Sequence, residues 1–147
     1  MANQIKKGKR IMRKIIVLIF LTVCFQSVAR EYDAYVIDVV DGDTFTVNIH
    51  VGLGVWLHNK RLRILDINAP EIRTKDLKEK ERGIISKNYL KLYIEKRTVI
   101  LDINEIKPTD NFGRYLATVY TFLEGQRIDV GELMLKKKHA VVYKKKK

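Results

Sequence analysis

The chain has 147 residues, 29 of them Lys or Arg and 17 Asp or Glu. Its net charge of +12 suits a polyanionic partner (nucleic acid, an anionic membrane surface or an acidic polymer) as well as it suits plain solubility. That length holds one domain, and 46% hydrophobic with 31% charged residues excludes both a chain disordered throughout and a many-spanning membrane protein. The single cysteine, Cys24, excludes an intrachain disulfide and a cysteine-based zinc site.

In chain order, Lys6, Lys7, Lys9, Arg10, Arg13 and Lys14 precede an apolar run over 15–25, and Ser27 and Ala29 follow as small residues two apart. A basic stretch, an apolar stretch and a small-residue site predict a secretory signal peptide over 1–29, cleaved after Ala29. The run is shorter than the ~20 residues of a spanning helix. An uncleaved anchor and lipid attachment at Cys24 are the alternatives, the second disfavoured by Val23 where a small residue is usual. The expected mature chain starts at Arg30, keeps 23 basic against 17 acidic residues, and has no cysteine to mispair in an oxidising compartment. It is expected to be secreted or periplasmic, monomeric and without stable membrane association. A domain over 30–143 is followed by a basic tail over 144–147.

Residues 34–40 are β-branched and apolar and predict a strand. Asp41-Gly42-Asp43 is a turn signal, with the glycine expected to supply unusual backbone angles. Residues 45–51 alternate and complete a hairpin. Residues 52–59 read as a loop, whose Trp56 either packs the barrel mouth or stacks a base. A strand over 60–67 puts Leu62, Ile64 and Asp66 on one side and Arg61, Arg63, Leu65 and Ile67 on the other, and Pro70 ends it. A helix is predicted over 76–95, with Leu77, Glu81 and Ile84, and Ile84, Ile85, Asn88 and Leu92, at partial helical spacing and Gly83 weakening its middle. Strands over 98–103 and 115–122 flank a polar loop at 108–113, and a shorter helix is predicted over 128–138. Five short strands in this order predict a mainly β, α+β protein: a five-stranded OB-fold barrel with one long and one short helix. The face of such a barrel binds oligonucleotides.

Three clusters carry chemistry. Asp41, Asp43 and Thr44 place hard oxygen ligands on one tight turn, suited to calcium or magnesium; simple turn chemistry explains them equally. Arg63, Asp66, Asn68 and Glu71 run along a strand to its proline-stopped end. There Arg63 has the donor fork for a phosphate and Glu71 suits a general base, with a surface ion pair as the alternative. Asp110, Asn111, Phe112, Gly113 and Arg114 form a loop that either approaches a ligand closely or is an ordinary loop with a solvated arginine. His50, His58 and His139 lack metal-ligand spacing.

Taken together and in this order, 39–44, Arg63 with Pro70-Glu71, and Asp110 with 113–117 resemble the staphylococcal nuclease (thermonuclease-like) family. The resemblance implies an OB-fold and calcium-dependent cleavage of phosphodiester bonds in DNA and RNA. It implies that Asp43 and Asp41 are carboxylates of the calcium site, that Thr44 contributes its main-chain carbonyl, and that Asn68 stands in a ligand position. It implies that Glu71 activates water and that Arg63 and Arg114 hold the scissile phosphate. Phe112 and Tyr143 match substrate-contacting aromatics.

The chain departs from the family pattern in several places. Asn68 stands where the best-known member has a second aspartate ligand, so weaker calcium binding is expected. Phe112 replaces a tyrosine and keeps a stacking ring without its hydroxyl, while Asn111 replaces a lysine and Val141 a tyrosine. After Tyr143 come only four lysines, which with Lys136, Lys137 and Lys138 are expected to steer nucleic acid. Single strands are expected to be preferred to duplex. The alternative reading is a cationic OB-fold module that binds nucleic acid without cutting it; a third is a binder of anionic surface polymers. Retention of Asp43, Arg63, Glu71 and Arg114 together favours the enzyme.

Overall fold

The computed structural model describes residues 30–103 and 106–144. The expected signal peptide and Lys145–Lys147 of the basic tail lie outside the described residues. Three strands form a meander: β1 (Arg30–Val39), β2 (Thr44–Gly52) and β3 (Val55–Ile64). A short β4 (Ile67–Asn68) leads to helix α1 (Leu77–Ile94). Then come β5 (Thr98–Ile103), β6 (Tyr115–Leu123), β7 (Gln126–Asp129), helix α2 (Val130–Lys136) and β8 (Val141–Val142).

The sheet runs β3-β2-β1-β5-β6-β7, and β3 also pairs with β6 in parallel, from Leu62–Tyr115 to Ile64–Ala117. That pairing closes a ring of five strands, the OB-like α+β architecture expected from the sequence. Period-two alternation explains the interior. Phe45, Val47 and Ile49 of β2, and Leu62 and Ile64 of β3, are buried between residues that face out. Val36, Val39, Leu101, Ala117 and Val119 complete the core from the other strands.

Several details differ from the sequence reading. The segment 52–59 is not a loop: β2 and β3 meet across a two-residue turn at Leu53 and Gly54, both at positive φ, the geometry a tight hairpin needs. Trp56 therefore lies on β3 opposite His50, with ring centroids 4.9 Å apart. It neither packs the core nor reaches the site. The alternation of β3 stops at Asp66, whose positive φ turns the chain and sends Ile67 inward. The second helix starts only at Val130, after β7, because Asp129 caps it by accepting from the Glu132 amide.

Helix α1 shows the largest difference. Asp76 caps it, its carboxylate accepting from the amides of Lys78 and Glu79. Its buried face is Gly83, Ser86, Leu90 and Ile94, whereas Leu77, Ile84, Ile85 and Leu92 are exposed. Gly83 is there for space. A Cβ would lie 2.8 Å from the Pro70 carbonyl oxygen and 3.1 Å from the Glu71 carbonyl carbon. Gly42 is likewise a close approach, not a positive-φ turn: a Cβ there would meet Ala69 and Ser86. No helix among the described residues is long and apolar enough to cross a membrane.

Candidate functional site

The site lies where β1 hands over to β2, beside the end of β3. Thr44 pairs with Arg63 across the β2–β3 ladder. The turn is closed by the Thr44 carbonyl, which accepts from the amides of both Val40 and Asp41. Both lone pairs of that oxygen are thus engaged, so Thr44 does not offer a free carbonyl ligand as expected. Its hydroxyl faces the site instead, donating to Asp43 Oδ1 at 2.8 Å and accepting from Arg114 Nη1 at 3.4 Å.

Asp43 is buried and organises its surroundings. Its Oδ1 meets Arg63 Nη1 at 2.5 Å, and its Oδ2 accepts the Ala69 amide at 2.9 Å. Arg63 Nη2 donates to Asn68 Oδ1 at 2.9 Å and to the Ile67 carbonyl at 3.1 Å. A charged pair this well buried is retained only with such further bonds, because desolvation otherwise outweighs the attraction. Asp41 accepts the Asp43 amide at 3.2 Å. Its carboxyl is pushed above the usual range by burial first, then by the negative charge of Asp43, with Glu71 adding to the same effect. Among the described residues no hydrogen bond or ion pair holds the Asp66 carboxylate, and its carbonyl accepts the Tyr143 amide at 2.8 Å.

Glu71 projects from the Pro70 turn held against Gly83. Its Oε1 accepts the Arg73 amide at 3.0 Å. The carboxylate opens onto a cavity of about 640 Å³ lined by Asp41, Thr44, Arg61, Glu71, Arg73, Phe112 and Arg114. Arg114 comes from the loop before β6. Its Nε and Nη2 both bond Asp110 Oδ2, at 2.8 and 2.7 Å. Asp110 Oδ1 accepts the amides of Phe112 and Arg114 at 2.9 and 3.0 Å. Burial would raise the Asp110 carboxyl, but these bonds from Arg114 and Phe112 outweigh it and hold the group below its usual range.

Phe112 is 84% exposed, with the Arg114 guanidinium 5.4 Å from its ring centre. Tyr143 reaches the site because β8 pairs with β4, Asn68 opposite Val141. Its ring centre lies 5.7 Å from the Arg63 guanidinium. A second cavity, about 320 Å³, is lined by Arg63, Asp110, Asn111, Phe112, Arg114 and Tyr143. Seven of the nine residues expected from the resemblance line two adjoining cavities, while Asp43 and Asn68 line neither and sit beside them, each bonded to Arg63. The sequence reading gave Asp110 no role, although an aspartate ahead of a glycine-arginine loop is a recognisable Asx-turn signal.

Asp41 and Asp43 offer two hard carboxylates on one turn, with Asn68 Oδ1 nearby through Arg63. Among the described residues no three His, Cys, Asp or Glu side chains converge into a ligand group. Hard oxygen donors are the ligand type that calcium and magnesium take, and both Asp43 oxygens are engaged here by Arg63, Thr44 and the Ala69 amide.

The profile of the family described as staphylococcal nuclease homologue matches residues 61–147. That is more than half of the chain, and the chain belongs to this family. It is also similar to "Uncharacterized protein MJ1439" of Methanocaldococcus jannaschii, at 28% identity over 91% of this chain and 84% of that protein.

Proposed function

We propose that the chain is an exported, calcium-dependent endonuclease that hydrolyses phosphodiester bonds of DNA and RNA. The observation that carries this is the convergence of two arginines and two classes of carboxylate. Arg63 and Arg114 flank Thr44, while Glu71 opens onto the cavity that Asp41 and Arg114 also line. A module that merely bound nucleic acid would gain nothing from acids set among its cations.

In this reading Arg114 and Arg63 take the non-bridging oxygens of the scissile phosphate. Charge on those oxygens grows in the transition state, and donors already aimed there cost no reorganisation. Glu71 takes the proton of the attacking water, within reach of the same phosphate. Asp41 and Asp43 would hold calcium, with Asn68 in the third position, and the ion would polarise the phosphoryl oxygen. Asp43 and Arg63 neutralise each other in the protein alone. Phosphate on Arg63 and a cation on Asp43 would separate that pair at little electrostatic cost. A flexible single strand reaches the narrow cavities more readily than a stiff duplex.

The full chain is tested on heat-denatured DNA in calcium, magnesium or chelator, beside the Glu71→Gln/Arg114→Ala double variant. Calcium-dependent degradation that the variant loses supports the enzyme. Loss of one such donor costs ~10²–10³ in rate elsewhere, so Arg114→Ala alone is expected to be severe. Intact DNA in every metal, with salt-sensitive binding retained, overturns it in favour of a cationic binding module.

A further inference from the structure

Arg61 and Arg73 line the larger cavity, yet the phosphate-hydrolysing machinery described above does not use them. The other arginines at these cavities are tied down, Arg63 by Asp43 and Arg114 by Asp110. Among the described residues the Arg61 and Arg73 guanidiniums have no ion pair and no hydrogen bond. Asp41 and Glu71 line the same cavity but bond neither guanidinium, so two exposed cations there are set to receive an anion from outside.

Their placement says which anion. Arg61 and Arg63 are successive outward residues of β3, opposite Thr46 and Thr44, while Leu62 between them points into the core. Two residues along a strand span about 6.6 Å. Successive phosphates of an extended single strand have a comparable spacing. Phe112 and Arg114 line both cavities and so form the wall between them. A strand crossing this wall would leave one phosphate at Arg63 and Arg114 and bring the next to Arg61. The exposed Phe112 ring then offers a base its stacking face, a contact that any base can make.

We propose that Arg61 and Arg73 form a second phosphate subsite, which binds the phosphate adjoining the scissile one in a single-stranded nucleic acid. The subsite rests on the nuclease reading for the identity of its neighbour, but not for its ability to bind. It makes the protein select internal bonds of a polynucleotide, because a dinucleotide leaves the subsite empty.

Binding of fluorescent single-stranded oligodeoxynucleotides to the full chain, in chelator so that nothing is cut, tests this. Each lost phosphate contact lowers the salt slope of log affinity by about 0.7 on single strands. Arg61→Gln/Arg73→Gln removes one phosphate contact and is expected to lower it by about 0.7 and to weaken binding about tenfold near physiological salt. Lys136→Gln/Lys137→Gln removes the same charge from the exposed end of α2 and is expected to change the slope less. Equal effects of the two pairs overturn the subsite, as the loss would then be one of bulk charge. A deficit of the Arg61/Arg73 variant that is as large on a dinucleoside monophosphate as on a pentanucleotide also overturns it. A wild-type chain that shows the Arg61- and Arg73-dependent slope yet cuts nothing in calcium upholds the subsite and refutes the nuclease reading.

Discussion

Asp110 does more than its neighbours suggest. One carboxylate oxygen receives two loop amides and the other receives the Arg114 fork, so a single side chain shapes the loop and aims the arginine. Its carboxyl is held below the unfolded value of 3.8. A group of that kind adds stability that is complete above pH 3.8 and disappears as pH falls through its lower folded value. Asp110→Asn should therefore melt at lower temperature than the wild type at neutral pH. The gap should close as both are acidified below about pH 3.8 in thermal scans. Activity should fall at neutral pH as well, because Arg114 loses its anchor. Asn68 offers a second test. It already bonds Arg63, and an aspartate would keep that bond while adding a charge beside Asp43. Asn68→Asp is expected to lower the calcium needed for half-maximal cleavage roughly tenfold, since ligand charge tunes calcium affinity. An unchanged or higher calcium requirement would remove Asn68 from the proposed cation site. At this scale the sequence made legible which candidate side chains come together, because each motif places its charged residues on one turn or strand end. Thr44 was misread because carbonyl bonding depends on how the turn closes, and Val40 and Asp41 close it on that oxygen.

The elements position these groups through two close approaches. Gly42 sets the carboxylate turn against Ala69 and Ser86, and Gly83 sets α1 against the backbone that carries Glu71. Gly83→Ala gains about 1 kcal/mol of helix propensity. It also places a methyl 2.8 Å from the Pro70 carbonyl oxygen, where backbone must shift to admit it. Overpacking of this kind costs ~1–3 kcal/mol. The variant should be no more stable than the wild type in denaturant titration, and its kcat should drop as Glu71 moves. Higher stability with unchanged kcat would show that the contact yields freely. From sequence alone the glycine looked like a weakness in a helix, since only the tertiary neighbour reveals its use. The face of α1 was misread for a related reason. Leu77, Ile84, Ile85 and Leu92 share helical spacing, but the barrel accepts the face with small residues, Gly83 and Ser86. Ser86 can be buried because its hydroxyl donates to the His139 carbonyl at 2.7 Å. The β2–β3 tip was hidden because Val55, Trp56, His58 and Asn59 are exposed on both faces, so burial left no alternation to read.

At the scale of the molecule, the site exists only when the barrel is closed. Asp43, Arg63, Arg114 and Tyr143 come from segments spread over a hundred residues, and no local element holds Arg63 and Arg114 together. The parallel β3–β6 pairing does so, setting Arg63 opposite Leu116, two residues after Arg114. Leu62 stands at that seam, fully buried and paired with Phe45 on one side and Tyr115 on the other. Truncating a buried leucine costs ~2–5 kcal/mol, from lost burial and from the cavity left behind. Leu62→Ala should lower unfolding stability by that amount in urea. Because the seam also assembles the site, activity and fluorescence should be lost over the same urea range in both proteins, with the variant's two curves shifted together. Activity lost well before unfolding would mean that the seam opens on its own. The loop from Asp110 to Arg114 would then be a separate unit, held by its own bonds and not by the barrel.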